Sequence, residues 1–554
     1  MNATVVRVAE GLLRGECSTT DGVCFFGQIP FATPPTGPLR WRPPEAPRAW
    51  TGIRDATKFG PMCMQVLNVE PEGAEDCLHL NVWVPPSCWS ATNCATMMWI
   101  HGGGYNIGSG INYDGTRDAA LARDVIVVTT NYRLSVLGFA AIPGARGESS
   151  GNFGLLDQRA AMVWMKANAK AFGGSGRLTL AGESAGASSI TCHLCMRSSA
   201  PLFEAAAMES GAFVHWASRP WAVAATQYGT LLHVTGCSDA ACLRRLDASN
   251  LTAVASNVSL GFGGLSGKRY APSWAPTVDG VELLALPSEL LAVGRCAFAP
   301  KPLLLGVNRD EGTSSVGSPD EPLLEKGYNM SEADLRAYLS SWLRGDKARL
   351  AEALRLYAVG SSPFYSRPYW AATHFAGDLL FSCPALRAAR HYGGMPAAPT
   401  FLYFFDHVPR NPPFDAGASG FPNASGVSHA YEMQFVWQGL PKSWAPRGTL
   451  VGSDERLLSE SMAAYWTNFA RRGDPNEGVR TPMMRGAWPR VGGARGGADL
   501  VALQLDLPSL TTVKGRYGAQ CAFIETLGPV PYPRQMRAGG WWSVQGGAAA
   551  RAGA

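Results

Sequence analysis

Short, continuous apolar runs recur along the chain, and each one ends at a turn signal such as Gly, Asn or Asp. Runs bounded in this way are typical of strands that are buried on both faces of a parallel sheet. The strands that this pattern predicts are Met97–Ile100, Val125–Thr130, Leu178–Ala181, Pro302–Val307 and Thr400–Phe405.

Two stretches between these runs show the residue spacing of amphipathic helices. One helix is predicted near Asp454 to Arg471, where Gly473-Asp-Pro-Asn follows. The other is predicted to stop at Gly173-Gly174, since glycine favours a helix end. Its apolar positions recur every third or fourth residue and are Leu156, Ala160, Val163, Ala167 and Ala171.

Strands that alternate with helices predict an α/β protein with a mostly parallel sheet. The chain has 554 residues, of which 46% are apolar, which suits one large packed core. No linker interrupts the pattern, so residues 1–535 are predicted to form a single domain, and residues 536–554 a flexible Gly/Ala-rich tail. A formal charge of +5 over 554 residues is too small to indicate a nucleic-acid-binding surface. No apolar run is long enough to span a membrane.

The chain has 13 cysteines, so at least one cannot pair within it. Close couples such as Cys17 with Cys24 and Cys88 with Cys94 favour disulfides, which form in oxidising compartments. Cys192-His-Leu-Cys195 is the one CxxC motif. A redox or metal site is the less favoured interpretation of this motif, because it stands alone. We therefore expect a secreted or secretory-pathway protein, although residues 1–15 do not resemble a signal peptide. Five glycosylation sequons agree with this expectation: Asn2, Asn250, Asn257, Asn329 and Asn423.

The motif Gly182-Glu183-Ser184-Ala185-Gly186 directly follows a predicted strand. A G-x-S-x-G motif in this context is typical of a nucleophile elbow, a tight turn that exposes the serine hydroxyl above the sheet. The two glycines avoid clashes of this turn with the neighbouring strand and helix. An unused turn serine is the alternative if the motif is considered alone.

A second motif, His101-Gly102-Gly103-Gly104, follows the predicted strand Met97–Ile100. Consecutive glycines let backbone N–H groups approach a developing oxyanion closely, and this loop is the place where α/β hydrolases supply such donors. A phosphate-binding loop is a weaker alternative, because no Lys-Ser/Thr pair follows the glycines. Two such motifs, each after its own strand, predict a serine hydrolase.

An activated serine needs a histidine base and a carboxylate that orients the base. Asp310 and Glu311 follow the strand Pro302–Val307, and either could serve as the acid. Of the histidines farther along, His407 ends a strand and His429 lies in a Gly/Ser-rich loop. Residue chemistry by itself leaves both choices open.

The chain resembles the type-B carboxylesterase/lipase family, which includes the cholinesterases, along nearly its whole length. This resemblance implies an α/β-hydrolase fold, with a large, mostly parallel central sheet flanked by helices and loop insertions that form an active-site gorge. The stretches that carry it are Phe26-Gly-Gln-Ile-Pro-Phe-Ala-Thr-Pro-Pro, Glu75-Asp-Cys-Leu-His-Leu-Asn-Val, His101-Gly-Gly-Gly, Asn131-Tyr-Arg-Leu-Ser-Val-Leu-Gly-Phe, Gly151-Asn-Phe-Gly-Leu-Leu-Asp-Gln, Gly182-Glu-Ser-Ala-Gly, Asn308-Arg-Asp-Glu-Gly, His429-Ala-Tyr-Glu and Tyr465-Trp-Thr-Asn-Phe-Ala-Arg-Arg-Gly-Asp-Pro-Asn.

The resemblance assigns the catalytic roles to Ser184, Glu311 and His429. It implies a carboxylic ester hydrolase that acts on small-molecule esters through an acyl-enzyme and needs no metal or organic cofactor. The oxyanion-hole donors that it implies are Gly103, Gly104 and Ala185. It also implies three disulfides, Cys63 with Cys77, Cys237 with Cys242, and Cys383 with Cys521.

Two narrower functions are alternatives. Cholinesterases hold the choline cation against a tryptophan in the loop closed by their first disulfide, and residues 64–76 contain no Trp, Tyr or Phe. Neuroligin-like adhesion proteins characteristically lose the serine, whereas this chain keeps all three residues of the implied triad. The sequence therefore favours a hydrolase of neutral acyl or lipid-like esters, and Trp216 and Trp274 are candidates for its gorge wall or its core.

Overall fold

The structure of the protein is a computed structural model. It describes residues 2–67, 70–91, 93–143, 150–258, 274–296, 300–316, 327–395, 398–413, 425–442, 445, 447–492 and 500–528. The predicted tail at 536–554, the predicted domain end at residue 535 and the sequon at Asn423 lie outside these residues.

The strands of the described residues form one large sheet and two small two-stranded sheets. The strands are β1 (Asn2–Val8), β2 (Gly11–Cys17), β3 (Cys24–Pro30), β4 (Ile53–Asp55), β5 (Gln65–Leu67), β6 (Glu70–Glu72), β7 (His79–Val84), β8 (Cys94–Ile100), β9 (Val125–Thr130), β10 (Gly174–Glu183), β11 (Ala205–Glu209), β12 (Arg219–Pro220), β13 (Thr277–Val278), β14 (Leu303–Asn308), β15 (Thr400–Phe405), β16 (Val501–Leu505) and β17 (Thr511–Lys514).

The large sheet has the order β1-β2-β3-β7-β9-β8-β10-β11-β14-β15-β16-β17, with β4 attached to β2. All pairs from β9 to β16 are parallel, and antiparallel pairs extend the sheet at both ends. The predicted mostly parallel sheet is therefore confirmed. Pattern analysis missed β11, because its sequence Ala-Ala-Ala-Met-Glu lacks the branched and aromatic side chains typical of strands.

Helices pack on both faces of this sheet, and hydrophobic clusters fill the space between the layers. The α-helices of the described residues are α1 (Cys88–Ala91), α2 (Thr116–Ala122), α3 (Ser135–Phe139), α4 (Phe153–Asn168), α5 (Ala185–Cys195), α6 (Trp221–Thr235), α7 (Ala240–Arg245), α8 (Ala248–Asn257), α9 (Pro287–Ala292), α10 (Thr313–Val316), α11 (Glu332–Trp342), α12 (Lys347–Leu356), α13 (Pro368–Gly377), α14 (Cys383–Gly393), α15 (Met433–Val436), α16 (Gly452–Arg472) and α17 (Gly518–Thr526). Short 3-10 turns lie at Gly37–Leu39, Gly110–Asn112, Ala169–Phe172, Ala200–Leu202, His215–Ala217, Gly327–Asn329 and Pro363–Tyr365, and a π-helical turn lies at Asp378–Ser382.

Helix α4 forms where the spacing predicts a helix, but the predicted stripe is only partly buried: Leu156 is in the core, whereas two other members of the stripe face solvent. Val163 is 51% exposed, and Ala167 is exposed as well. The core side instead carries larger residues such as Met162 and Met165, which are almost fully buried. Alanine fits either face of a helix, so a stripe made mostly of alanine does not locate the core.

Six disulfides join twelve of the cysteines, including the three pairs that the family resemblance implies. The CxxC motif is not itself a disulfide, because Cys195 bonds to Cys296 across the fold while Cys192 stays a free, buried thiol. The pairs are Cys17–Cys24, Cys63–Cys77, Cys88–Cys94, Cys195–Cys296, Cys237–Cys242 and Cys383–Cys521.

Among the described residues, no helix is long and apolar enough to cross a bilayer. The carboxyl ends of the parallel strands β8, β10, β11 and β14 meet at one edge of the sheet, where parallel α/β proteins place their functional residues.

The burial of α4 gives a test with two neighbouring residues. Met162→Ala should lower the free energy of unfolding by about 2–5 kcal/mol, because it removes fully buried methylene groups from the core. Val163→Ala should change it by less than about 0.5 kcal/mol, since that side chain is half exposed. Urea denaturation measures both free energies of unfolding. A larger loss for Val163→Ala than for Met162→Ala would contradict the assignment of Met162 to the core side of α4.

Candidate active site

Ser184 lies in a tight turn between β10 and α5. Its backbone has φ 53° and ψ −120°, an uncommon conformation for a residue with a side chain, and its N–H donates to the carbonyl O of Glu209 at 2.9 Å. The flanking glycines are required by packing, because a Cβ on Gly182 would lie 2.6 Å from the carbonyl O of Ile100 and one on Gly186 would overlap the same atom. This is the strand–turn–helix arrangement that the motif predicts.

The glycine loop after β8 lies directly against this turn. A Cβ on Gly102 would stand 3.1 Å from Ser184 Cβ, so no larger residue fits there without a shift. Gly103 has φ +103° and Gly104 has φ +60°, left-handed values that favour glycine. Ala185, the third donor that the resemblance implies, is the first residue of α5 and is fully buried.

His429 meets Glu311 at this edge of the sheet. Its Nδ1 lies 2.7 Å from Glu311 Oε2, and Glu311 is 1% exposed. The other carboxylate oxygen accepts the N–H of Asn308 at 2.8 Å and the hydroxyl of Ser210 at 2.5 Å. Glu311 is therefore held rigidly, with one oxygen toward the imidazole.

Asp310, the other candidate acid, points away from His429. Its Oδ2 accepts from the guanidinium of Arg309 at 2.8 Å and from the N–H of Val427 at 2.7 Å, while Oδ1 lies 3.2 Å from His374 Nε2. Burial acts to raise the pKa of Asp310, but the hydrogen bond with His374 and the charge of Arg309 outweigh it and hold this pKa below the ordinary value. Asp310 thus anchors the loop that carries His429.

His407, the other candidate base, lies in a different ion-pair cluster. Its Nε2 lies 2.9 Å from Glu455 Oε1, and its Nδ1 lies 3.6 Å from Asp506 Oδ1. Burial acts to lower the pKa of His407, but the hydrogen bonds with Asp506 and Glu455 outweigh it and raise this pKa. The structure therefore places His429 beside Glu311 and beside Glu183, the residue that precedes Ser184. Asp310 and His407 have other partners.

Comparisons with known proteins identify the family of the chain. The model of the carboxylesterase family matches residues 2–524 of the chain. The chain belongs to the carboxylesterase family. A cholinesterase from Mus musculus is 34% identical over 514 residues, which cover 85% of this chain and 79% of that relative. The protein is thus a carboxylic ester hydrolase with an α/β-hydrolase fold.

Sequence analysis of this carboxylesterase missed a group of buried glutamates around His429. Glu183 Oε1 lies 3.1 Å from His429 Nε2, without the geometry of a hydrogen bond. Burial raises the pKa of Glu183, the charge of His429 opposes this rise, and the charges of Glu432 and Glu311 add to it. The motifs Gly-Glu-Ser and His-Ala-Tyr-Glu contain Glu183 and Glu432, but sequence spacing does not show that they lie together.

Burial also raises the pKa of Glu432, and the nearby charge of Glu311 raises it further. Glu209 ends β11 and accepts the indole N–H of Trp466 at 2.6 Å, and burial likewise raises its pKa. Several carboxyl groups of this carboxylesterase site are therefore biased toward the neutral form, which limits the negative charge beside His429.

The two tryptophans proposed as gorge or core residues both pack in the core. Trp274 is fully buried and donates its indole N–H to the carbonyl O of Ala255. Trp216 is 6% exposed and packs edge-on against Phe381, whose ring centroid lies 4.6 Å from that of His429. Phe381, which sequence analysis did not single out, is an aromatic residue in contact with the imidazole.

The ion pairs of His407 predict how the stability of this carboxylesterase depends on pH. A raised folded-state pKa stabilises the fold fully below the unfolded pKa of about 6.5, and this gain is lost as the pH rises through the folded pKa. His407→Gln should therefore lower the melting temperature most at acid pH, and the difference from the unaltered protein should shrink at alkaline pH.

His391→Gln is the matched control, because burial lowers the pKa of His391. Its stability relative to the unaltered protein should rise at acid pH, which is the opposite sign. Differential scanning calorimetry from acid to alkaline pH measures both variants, and a His407→Gln effect that is constant over this range would contradict the assigned ion pairs.

Proposed function

We propose that this esterase is a serine hydrolase that cleaves esters through a covalent acyl-enzyme. Ser184 attacks the ester carbonyl, His429 accepts the hydroxyl proton and later donates it to the leaving alcohol, and Glu311 orients and stabilises the imidazolium. The observation that carries the proposal is the 2.7 Å contact between His429 Nδ1 and the buried Glu311 Oε2, at the same sheet edge as the strained turn of Ser184.

The oxyanion of the tetrahedral intermediate is proposed to receive the N–H groups of Gly103, Gly104 and Ala185. The left-handed glycine backbone and the first turn of α5 support this assignment, because both leave N–H groups without a helical or strand partner. A donor of this kind typically accounts for roughly 10²–10³ in turnover. Water then hydrolyses the acyl-enzyme with His429 as base, and the cycle needs no metal or organic cofactor.

Neutral acyl or lipid-like esters are the proposed substrates. The loop closed by Cys63 and Cys77 offers Met64, Val66 and Leu67 but no aromatic face for a cation. Glu183 is the nearest acidic group to Ser184 along the chain, and its raised pKa weakens it as an anionic partner for ammonium. The mouse relative is named a cholinesterase, but these residues do not favour a choline site in this chain.

We further propose that the protein is secreted or resides in the lumen of the secretory pathway. Six disulfides support this proposal, because such bonds persist in oxidising compartments. The sequons at Asn2, Asn250, Asn257, Asn329 and Asn423 are its proposed glycosylation sites.

Residues 1–535 are proposed to fold as one domain, because the large sheet includes strands from both halves of the chain.

The nucleophile is tested by covalent labelling. A fluorophosphonate probe should modify one peptide of the intact protein, the peptide that contains Ser184, and should leave the Ser184→Ala variant unmodified. Peptide mass spectrometry identifies the modified residue. Labelling of equal yield in Ser184→Ala would refute the assignment.

The base is tested by turnover of a neutral ester. His429→Ala should lower kcat by several orders of magnitude, whereas His407→Ala, which removes a histidine outside the site, should change kcat far less.

Selectivity is tested with two esters of equal acyl length. The value of kcat/KM for a butyrate ester of a neutral alcohol should exceed that for butyrylcholine, because a cation gains little without an aromatic wall. A tenfold advantage of the choline ester, about 1.4 kcal/mol of transition-state binding, would instead reveal a cation site. Such a result would leave the serine mechanism intact and overturn only the proposed substrate class.

A further inference from the structure

The loop closed by the Cys63–Cys77 disulfide contacts the glycine loop through one buried amide side chain, Gln65. Gln65 Oε1 accepts the N–H of Gly108 at 2.8 Å, and Gln65 Nε2 donates to the carbonyl O of Gly108 at 3.0 Å. The same Nε2 donates to the carbonyl O of Cys63 at 2.9 Å. Gln65 is 1% exposed, so water is poorly placed to replace these bonds.

The second cysteine of the disulfide is tied to the same stretch of chain by Asn131. Its Nδ2 donates to the carbonyl O of Cys77 at 3.1 Å, and its Oδ1 accepts the N–H of Gly110 at 2.8 Å and the hydroxyl of Ser109 at 3.0 Å. Residues 108–110 are therefore bonded to both ends of a covalently closed loop.

Gly108 packs against His101 and Gly102, at the start of the glycine loop. It has φ +112°, and a Cβ on Gly108 would overlap His101 Nδ1 and stand 2.6 Å from the carbonyl O of Gly102. Gly102 packs in turn against Ser184. The carbonyl O of Gly103 accepts the N–H groups of Asn106 and Ile107, so the segment from 103 to 107 is a closed turn between two fixed glycines.

We propose that Gln65 is a positioning residue for the oxyanion hole. The inference rests on the proposed function, since it requires that Gly103 and Gly104 donate to the oxyanion. Backbone donors act strongly only when they are aimed in advance at the position of the developing charge. Gln65 contributes to this positioning by fixing Gly108 at the far end of the turn. The middle of the turn is held separately, because the carbonyl O of Tyr105 accepts the N–H of Ser135 at 2.8 Å.

Gln65→Met tests the proposal, because methionine has a similar length and can neither donate to nor accept from Gly108. We expect kcat for a neutral ester to fall roughly 10- to 100-fold, while KM stays nearly unchanged. This loss is no larger than the loss expected when one oxyanion-hole donor is removed completely. Affinity for a trifluoromethyl ketone, which forms an anionic tetrahedral adduct with the serine, should fall by the same factor. Values are normalised to active sites counted by fluorophosphonate titration.

Gln227→Met is the matched control. Gln227 is also 1% exposed, and its side chain bonds to Arg219 and to the carbonyl O of Val258 instead of to the glycine loop. The control should lower the melting temperature without changing the affinity for the ketone. The proposal is overturned if Gln65→Met behaves like this control, with reduced stability but unchanged kcat and ketone affinity.

Gln65→Glu provides a second variant if the methionine protein does not fold. It keeps the acceptor for the Gly108 N–H but removes the amide donor to the carbonyl O of Gly108, so ketone affinity should fall severalfold. No loss at all would also overturn the proposal. Ser184→Ala separates the two hypotheses. If Ser184→Ala retains turnover, the proposed serine mechanism fails; if it is inactive while Gln65→Met is unimpaired, only the positioning role fails.

Discussion

The close contact between the turn at Ser184 and the end of β8 is the constraint on which the rest of the site depends. The carbonyl O of Ile100 leaves no space for a side chain at Gly182 or Gly186, so the turn can lie there only with glycine at both positions. This contact sets the start of α5 and brings the loop that begins at His101 against Ser184. A parallel arrangement of β8, β10 and β11 makes the approach possible, because their carboxyl ends lie at one edge.

Two layers of polar contacts then hold the side chains that approach this turn. Glu311 is fixed by a backbone N–H and a hydroxyl, and the loop that carries His429 is fixed by Asp310 through the N–H of Val427. Neighbouring acidic residues therefore have distinct functions: one faces the imidazole and the other holds its loop. Their different partners, rather than their positions in the sequence, account for this division.

Burial gives the site its electrostatic character. The carboxyl groups of Glu183, Glu209 and Glu432 lie in a region of low dielectric constant, and burial raises the pKa of each. A raised pKa favours the neutral form of each carboxyl group, which reduces their mutual repulsion.

The sequence by itself determined the α/β architecture, the turn at Ser184 and the glycine loop, because each of these features depends on residues that are contiguous in the chain. Buried runs such as Val125–Thr130 and the glycines around Ser184 are set by local sterics and hydrophobicity. The choice of Glu311 over Asp310 needed a family resemblance, since adjacent carboxylates look alike in a sequence. Only the tertiary structure decided the exposed face of α4, the clustering of Glu183 with Glu432, and the bonds from Gln65 to Gly108. Each of these depends on contacts between segments distant in the chain, and no local pattern of residues encodes which of them meet.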